Sequence, residues 1–146
     1  MKKTRKVTRV KLQLDQINDF ILLGLVSSEA DYKLSLMLNK KFGISIKNIS
    51  PVKIKGDDGT ELLFSRFSDA GPSPDRFFTL ISNRSGKHFL IRKLRNVDYI
   101  LQSHDPDNEN IISEITSNLR EIPSITAVFN IDIDTIKDKN LHHVIQ

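Results

Sequence analysis

Cysteine and tryptophan are both absent from this chain of 146 residues. The lack of cysteine excludes disulfide bonds, thiolate metal sites and a cysteine nucleophile. Because tryptophan is missing and only two tyrosines occur, the eight phenylalanines must supply most of the bulky packing in the core.

Long hydrophobic runs are also lacking. The longest strongly apolar run covers residues 20–26, whereas a membrane-spanning helix needs about 20 residues. The basic N-terminus is not followed by an apolar segment of the signal-peptide type. We therefore predict no membrane association and a cytoplasmic location.

The positive charge of the chain is concentrated at one end. The formal net charge is +4, yet the first eleven residues hold six of the 22 Lys and Arg and none of the 18 acids. We predict that residues 1–6 form a flexible basic tail, in which Lys2, Lys3, Arg5 and Lys6 could make weak nucleic-acid contacts through phosphate attraction. A solvated tail that only aids solubility is the favoured alternative.

The first half of the chain predicts strand, helix and hairpin in that order. Alternating apolar residues indicate a strand at residues 7–14, and the apolar run at 20–26 is typical of a central strand. Ser28 is the predicted cap of a helix that buries Leu34 and Leu38 and ends at Gly43. The turn at residues 56–59 joins two further strands, of which the second offers apolar side chains to both faces.

The second half predicts a hairpin followed by a strand, a helix and a strand. Residues 77–82 and 88–91 are expected to pair across a short turn, and residues 97–102 form the next strand. A second helix, capped by Asp107 or Asn108 and stopped by Pro123, has a predicted apolar face. That face consists of Ile111, Ile112, Ile115, Leu119 and Ile122.

These patterns predict a single α+β domain over residues 1–146, with residues 135–146 as a loosely ordered C-terminus. Strand, helix and strand occur twice, as in a split βαβ arrangement. The predicted fold is a two-layer sandwich: a largely antiparallel sheet with two helices on one face, ferredoxin-like with extra hairpin strands.

One short motif resembles a known family. Val97, Asp98 and Tyr99 follow Ile91 at the spacing of the IPExxxVDY family, small proteins typical of Bacteroidota that have no established function. The order of features over about residues 10–138 is similar as well. Arg92 and Lys93 occupy the positions of the family's proline and glutamate, so a role of that glutamate does not carry over.

Asp98 is the residue of this motif with the most chemistry. A carboxylate in a half-buried strand needs a partner. We predict a structural role, in which Asp98 pairs with Arg95, Arg92 or backbone amides. Contact with a ligand is the alternative.

The remaining patterns favour no particular reaction. There is no glycine-rich phosphate loop, no HExxH and no nucleophile elbow. The acidic segment at residues 104–109 departs from a calcium loop and is typical of a helix cap. Phe64 with Arg66, or Phe78 beside His88 and Arg92, could be part of an RNA-binding surface, although phenylalanines at strand spacing are more typical of a core.

The sequence thus predicts a non-catalytic intracellular module for binding or assembly, with no cofactor or metal and with an unidentified protein or small-molecule partner. Apolar residues on both faces of residues 62–67 and 77–81 predict that the sheet's second face is covered by a second copy, as a homodimer. The alternative is an RNA- or ribosome-associated protein that uses its basic N-terminal arm.

Overall fold

The computed structural model describes residues 21–69, 77–104, 110–136 and 138–145. The predicted strand at 7–14, the basic tail at 1–6 and the predicted caps Asp107 and Asn108 lie outside these ranges. The strands are β1 Ile21–Ser27, β2 Lys47–Lys55, β3 Glu61–Ser68, β4 Phe77–Ser82, β5 Arg84–Ser85, β6 His88–Phe89, β7 Tyr99–His104 and β8 Ile125–Asn130. The helices are α1 Asp31–Phe42, α2 Ile111–Arg120 and α3 Leu141–Ile145.

Six of the strands form one antiparallel sheet in the order β2, β3, β4, β7, β1, β8. The helix α1 connects β1 to β2 at the far edge, and α2 connects β7 to β8 across β1. The four strands β8, β1, β7 and β4 have the order of a ferredoxin-like sheet, which β3 and β2 extend. The predicted α+β sandwich is therefore confirmed.

The helices α1 and α2 cover one face of the sheet, which we call the helix side. Leu34 and Leu38 of α1 and Ile115 and Leu119 of α2 are buried there against Leu23 and other apolar strand residues. The predicted end of α1 at Gly43 is confirmed, because Gly43 has a φ of 65°, a conformation that glycine adopts without strain.

Three local predictions were wrong. The residue before α1 is Ala30 rather than Ser28, with no side-chain cap. Ile112 of α2 is exposed rather than buried. Residues 88–91 do not join the sheet, because β6 pairs only with β5 in a separate two-stranded hairpin.

The second face of the sheet is covered by the chain itself. Apolar residues from two later segments pack with Leu22, Phe64 and Ile100 in a second apolar cluster. They are Leu90, Ile91, Leu94, Val97, Ile131, Ile133, Ile136, Leu141 and Val144. The segment 135–146, which we predicted to be loosely ordered, contributes the buried Val144 and the buried Asn140 amide, which donates to Leu90 O at 2.9 Å. The expectation of an open apolar face was therefore wrong, and it no longer supports a dimer.

Candidate functional site

The family-type motif, Ile91 with Val97, Asp98 and Tyr99, lies in the segment that covers the second face of the sheet and leads into β7. Val97 and Ile91 are buried in the second apolar cluster, whereas Tyr99 is buried on the helix side. Asp98 lies between Val97 and Tyr99, immediately before β7, and its backbone N–H donates to Leu25 O at 2.9 Å. The motif thus fixes this loop to both faces of the sheet.

Asp98 uses both carboxylate oxygens within the fold. Oδ1 pairs with Arg84 Nε at 2.7 Å, and Oδ2 accepts a hydrogen bond from the backbone N–H of Ser27 at 2.9 Å. The predicted pairing with a backbone amide is confirmed, but Arg84 replaces Arg92 and Arg95 as the cation. Arg84 belongs to β5, and its Cζ lies 5.1 Å from the centre of the Phe89 ring in β6. The β5–β6 hairpin therefore supplies the cation that pairs with Asp98.

Arg92 points away from the motif. Its guanidinium pairs with Asp57 in the β2–β3 turn at 3.1 Å, and its backbone N–H donates to Asp138 at 3.1 Å. Both Arg92 and Asp57 are exposed, and exposed ion pairs contribute about 1 kcal/mol or less to stability. The basic corner at Arg92 is therefore a surface contact.

Tyr99 ties the motif to the start of α1. Its hydroxyl donates to the backbone carbonyl of Glu29, in the turn between β1 and α1. Burial, together with the smaller effect of the negative charges of Asp31, Asp98 and Glu29, raises the pKa of Tyr99 to about 12. Tyr99 is thus held as a neutral hydrogen-bond donor at physiological pH.

Asn83 is the central residue of this loop, and the sequence analysis missed it. Its buried amide donates to Leu94 O and to Val97 O, each at 2.9 Å, while its side-chain oxygen accepts from Ile91 N at 2.8 Å. Asparagine is common in the turn after a strand, so the sequence gives no reason to single out Asn83. What distinguishes it from an ordinary turn residue is its complete burial. These bonds shape the loop that carries the motif, which is a structural role.

The aromatic residues considered for RNA stacking are part of the core. Phe64 is fully buried in the second cluster, and Phe78 packs on the helix side with its ring 5.3 Å from that of Phe42. Phe64 therefore has no exposed ring face on which a base could stack. Lys2, Lys3, Arg5 and Lys6 lie outside the described residues, so RNA contact by the arm stays a prediction.

A cavity of 270 Å³ opens on the helix side, far from the motif. It lies between the end of α1, the first turns of α2, and the adjoining ends of β4 and β7. Its apolar wall consists of Phe42, Ile44, Phe77, Phe78, Ile111 and Ile115. Its polar groups are Asp69, Ser103, His104, Glu114 and Asn118.

Two of the polar groups remain available to a ligand. Asp69 Oδ1 accepts from Phe78 N at 2.7 Å, while its second oxygen accepts no hydrogen bond from a described residue. The side-chain amide of Asn118 likewise has no partner in the described part of the chain. Ser103 differs, because its hydroxyl already donates to Phe77 O at 3.1 Å.

Within the described ranges, no three His, Asp or Glu side chains are close enough together to hold a metal ion. No helix of the described residues is both long and apolar enough to cross a membrane. A scan against protein-family models gives no match. A search of curated proteins gives none either.

Proposed function

We propose that this protein is a non-catalytic binding module whose cavity takes a small ligand with an apolar body and a hydrogen-bond-donating or cationic end. The observation that carries this proposal is the pairing of an aromatic and aliphatic wall with two uncommitted polar groups, Asp69 and Asn118. Apolar walls with a few placed polar groups are typical of small-molecule sites.

The cavity's size and charge set the ligand class. At 270 Å³ it is near the lower limit of ligand pockets, about 300 Å³, which corresponds to a metabolite rather than a large cofactor. The free oxygen of Asp69 can only accept a hydrogen bond, and as a carboxylate it favours a cation. An amine or a hydroxyl therefore fits better than an acid.

The hydrogen bond of the Ser103 hydroxyl, which lines the cavity, supports a binding role over a catalytic one. Ser103 and His104 are neighbours on β7, and successive strand residues point to opposite faces. The hydroxyl proton of Ser103 is engaged by a backbone carbonyl instead of a base. A serine nucleophile would need that proton to be accepted by a general base.

Three probes with one apolar body test the ligand class: phenylethylamine, phenylethanol and phenylacetate. We expect methyl NMR shifts at Ile111 and Ile115 to be largest with the amine and smallest with the carboxylate. Asp69→Asn keeps the acceptor for Phe78 N but removes the charge, so it should abolish the preference for the amine. Asp134→Asn, at an exposed acid outside this cavity, is the matched control.

Equal binding of amine and carboxylate, or shifts confined to residues away from the cavity, would contradict the proposed ligand class. Absence of binding by all three probes, followed by no shift with a wider set of amines and alcohols, would contradict the binding role.

The cytoplasmic location, the membership of the IPExxxVDY family and the homodimer remain proposals. The location is supported by the absence of cysteine, since disulfides are typical of oxidising compartments. The family rests on the spacing of Ile91, Val97, Asp98 and Tyr99. The homodimer no longer has an open apolar face to support it, and only a mass of twice 16.7 kDa in light scattering would restore it.

A further inference from the structure

The strand β8 is an edge of the main sheet that carries little of the usual edge protection. It pairs with β1 on one side, and no strand of the described chain lies on its other side. Its sequence, Ile-Thr-Ala-Val-Phe-Asn, contains no charged residue and no proline. Proteins usually protect open edges with lysines, prolines or bulges, because unpaired backbone groups attract further strands. The only such device in β8 is a bulge at Thr126, next to its start.

The opposite edge of the sheet, β2, is better protected. It contains three lysines and Pro51, and its register with β3 shifts between Ile49 and Val52. These features all discourage the addition of another strand. The contrast between the two edges indicates that β8, unlike β2, accommodates a further strand beside it.

The backbone groups that β8 turns towards its open side follow from its ladder with β1. The backbone N–H of Ile131, just after β8, donates to Leu22 O at 2.9 Å, so the backbone of Ile131 faces β1. Backbone groups alternate in direction along a strand, so Phe129 also faces β1, whereas Val128 and Asn130 face the open edge. A strand beside β8 would bond the N–H and C=O groups of Val128 and Asn130.

An exposed apolar side chain borders this edge on each face of the sheet. Phe129 is 43% exposed on the second face, where its register partner is Gly24. Ile112 of α2 is 40% exposed on the helix side, and it lines one surface cleft together with Asn130 and Ile21. A strand with one apolar face would cover one of these side chains and leave its polar face to water.

The chain has a segment of this kind shortly before β1. Residues 7–14 alternate between apolar and polar positions, which is the period of a half-buried strand. The alternating positions are apolar Val10, Leu12 and Leu14 and polar Arg9, Lys11 and Gln13. This part of the chain enters β1 at Ile21, which lies beside the end of β8 because β1 and β8 are antiparallel.

The linker from this segment to β1 is long enough to reach the outer side of β8. From position 14 to position 21 the backbone spans at most about 25 Å. Strands lie about 4.8 Å apart, so a strand outside β8 is about 10 Å from β1. A strand outside β2 is five spacings, about 24 Å, from β1, which only a fully extended linker reaches. Distance therefore favours the edge at β8.

Charge favours the same edge. Arg9 and Lys11 beside β2 would lie close to Lys53 and Lys55, and like charges on neighbouring strands destabilise their pairing. The strand β8 carries no charge, so pairing with it has no such cost.

We propose that residues 7–14 form a further strand that pairs with the open edge of β8. The short linker reverses the chain, so the segment runs antiparallel to β1 and therefore parallel to β8. Its backbone bonds Val128 and Asn130, and its occupancy of the edge keeps other chains from adding there. The inference is independent of the proposed cavity ligand, since no residue of β8 lines that cavity.

Amide hydrogen exchange of the full chain, measured by NMR, tests the pairing. Alternate amides of a strand bond its neighbour, so every second amide of residues 9–14 should exchange at least about tenfold more slowly than in an unfolded chain. Nuclear Overhauser contacts between this segment and Val128 or Asn130 should identify β8 as the neighbouring strand.

The variant Asn130→Pro removes one N–H from the open edge of β8. Proline is tolerated in an edge strand where its N–H would face away from the ladder, so the bonds to β1 should persist. Exchange in residues 9–14 should become at least about tenfold faster, because the segment loses a hydrogen bond to β8. The amide of Ile131 should keep its slow exchange, which shows that β8 itself is intact.

The matched control is Lys53→Pro on the other edge strand. Gly56 N donates to Thr60 O at 2.7 Å across the β2–β3 turn. By the same alternation, the N–H of Lys53 points away from β3. This variant should leave exchange in residues 9–14 unchanged.

Truncation gives a second measurement. Deletion of residues 1–14 should lower the urea midpoint of unfolding and cause self-association, because it uncovers the edge of β8. Deletion of residues 1–6 alone should do neither.

Exchange throughout residues 9–14 at the rate of an unfolded chain would overturn the proposal. Slow exchange that persists in Asn130→Pro would place the segment elsewhere and would overturn it as well. A full-length dimer that Asn130→Pro dissociates would show that a second copy occupies the edge instead. Deletion of residues 1–14 without any change in urea midpoint or mass would also contradict the pairing.

Discussion

A β-carbon added to Gly24 would lie 2.8 Å from Cγ2 of Val97. Gly24 is in strand β1, between β7 and β8, and Val97 belongs to the family-type motif that returns across the sheet's second face. Such a distance is too short for real β-carbons, so the chain approaches the strand this closely only because residue 24 has no side chain.

Gly24→Ala should destabilise the protein by about 1 to 3 kcal/mol, the usual cost of overpacking a core. Val97→Ala should cost stability by creating a cavity. The double variant should lose less than the sum of the two, with a coupling of about 0.5 to 3 kcal/mol by urea denaturation. Strict additivity would mean that the two residues do not compete for the same space.

Asp98 should be a structural residue that tolerates amidation better than truncation. Asp98→Asn can still accept from Ser27 N but loses the charge that pairs with Arg84. Asp98→Ala leaves the Ser27 amide without a partner, which costs about 1 to 3 kcal/mol. Equal losses for the Asn and Ala variants, measured by chemical denaturation, would indicate that the ion pair rather than the amide contact dominates.

Asn83 should be among the most sensitive residues in the chain. Asn83→Ala removes three hydrogen bonds to backbone groups of the motif loop, and we expect a loss of at least about 3 kcal/mol. Asn83→Asp should be no milder, because a carboxylate accepts from Ile91 N but donates to neither carbonyl. Asn118→Ala, at a half-buried cavity position, is the control. Hydrogen exchange of the Ile91 amide reports the loop directly.

Tyr99 should make stability fall at high pH. Its pKa is raised from 10.0 to about 12 in the folded state, so the unfolded chain releases the proton first. Stability from this group is therefore complete below pH 10 and is lost as the pH rises from 10 towards 12. Tyr32→Phe leaves Tyr99 as the only tyrosine, so tyrosinate absorbance follows it alone. Ionisation near pH 10 in the folded variant would contradict this.

The C-terminal helix should loosen in acid. Burial lowers the pKa of His143 below 6.5, and the neighbouring His142 and Arg66 lower it further. A lowered folded-state pKa means that stability is present above pH 6.5 and is lost as the pH falls through the folded value. The protection factor of the Val144 amide, which is the exchange rate of an unfolded chain at the same pH divided by the observed rate, should fall in mild acid, and His143→Gln should remove that pH dependence.

The parts of the fold that the sequence could predict are those set by local chemistry. The end of α1 follows from Gly43, and the β2–β3 hairpin from the turn at 56–59, where Gly56 N–H donates to Thr60 O at 2.7 Å. Leu38 was correctly assigned to the core because helical spacing alone places it beside Leu34.

The parts that failed depend on contacts between distant residues. Residues 88–91 have the composition of a sheet strand. However, the backbone N–H of Ile91 donates to the buried side-chain oxygen of Asn83 instead of to a neighbouring strand, so the segment curves over the second face. That face looked open because the residues covering it, among them Val144, come from the other end of the described chain. Ile111 and Ile112 are the same residue type, and periodicity alone does not decide which of two adjacent isoleucines faces inward. The exposure of Ile112 was therefore not predicted.

The cavity was not predicted at all. Its walls come from α1, α2, β4 and β7, and each of the apolar residues on it satisfies an ordinary core pattern. A cavity between helices and strands that all have ordinary core patterns gives no sequence signal of its own, since it depends on how closely those elements pack.

The placement of β1 between β7 and β8 has a kinetic consequence. Ser27 at its end bonds Asp98, 71 positions away, and Val26 accepts from Thr126, 100 positions away. Contacts this distant require large loops to close, which is typical of folding in about milliseconds to seconds rather than microseconds. During that interval the apolar strand Ile21–Ser27 has neither of its neighbours, so refolding at high concentration should lose material to aggregation before this strand is enclosed.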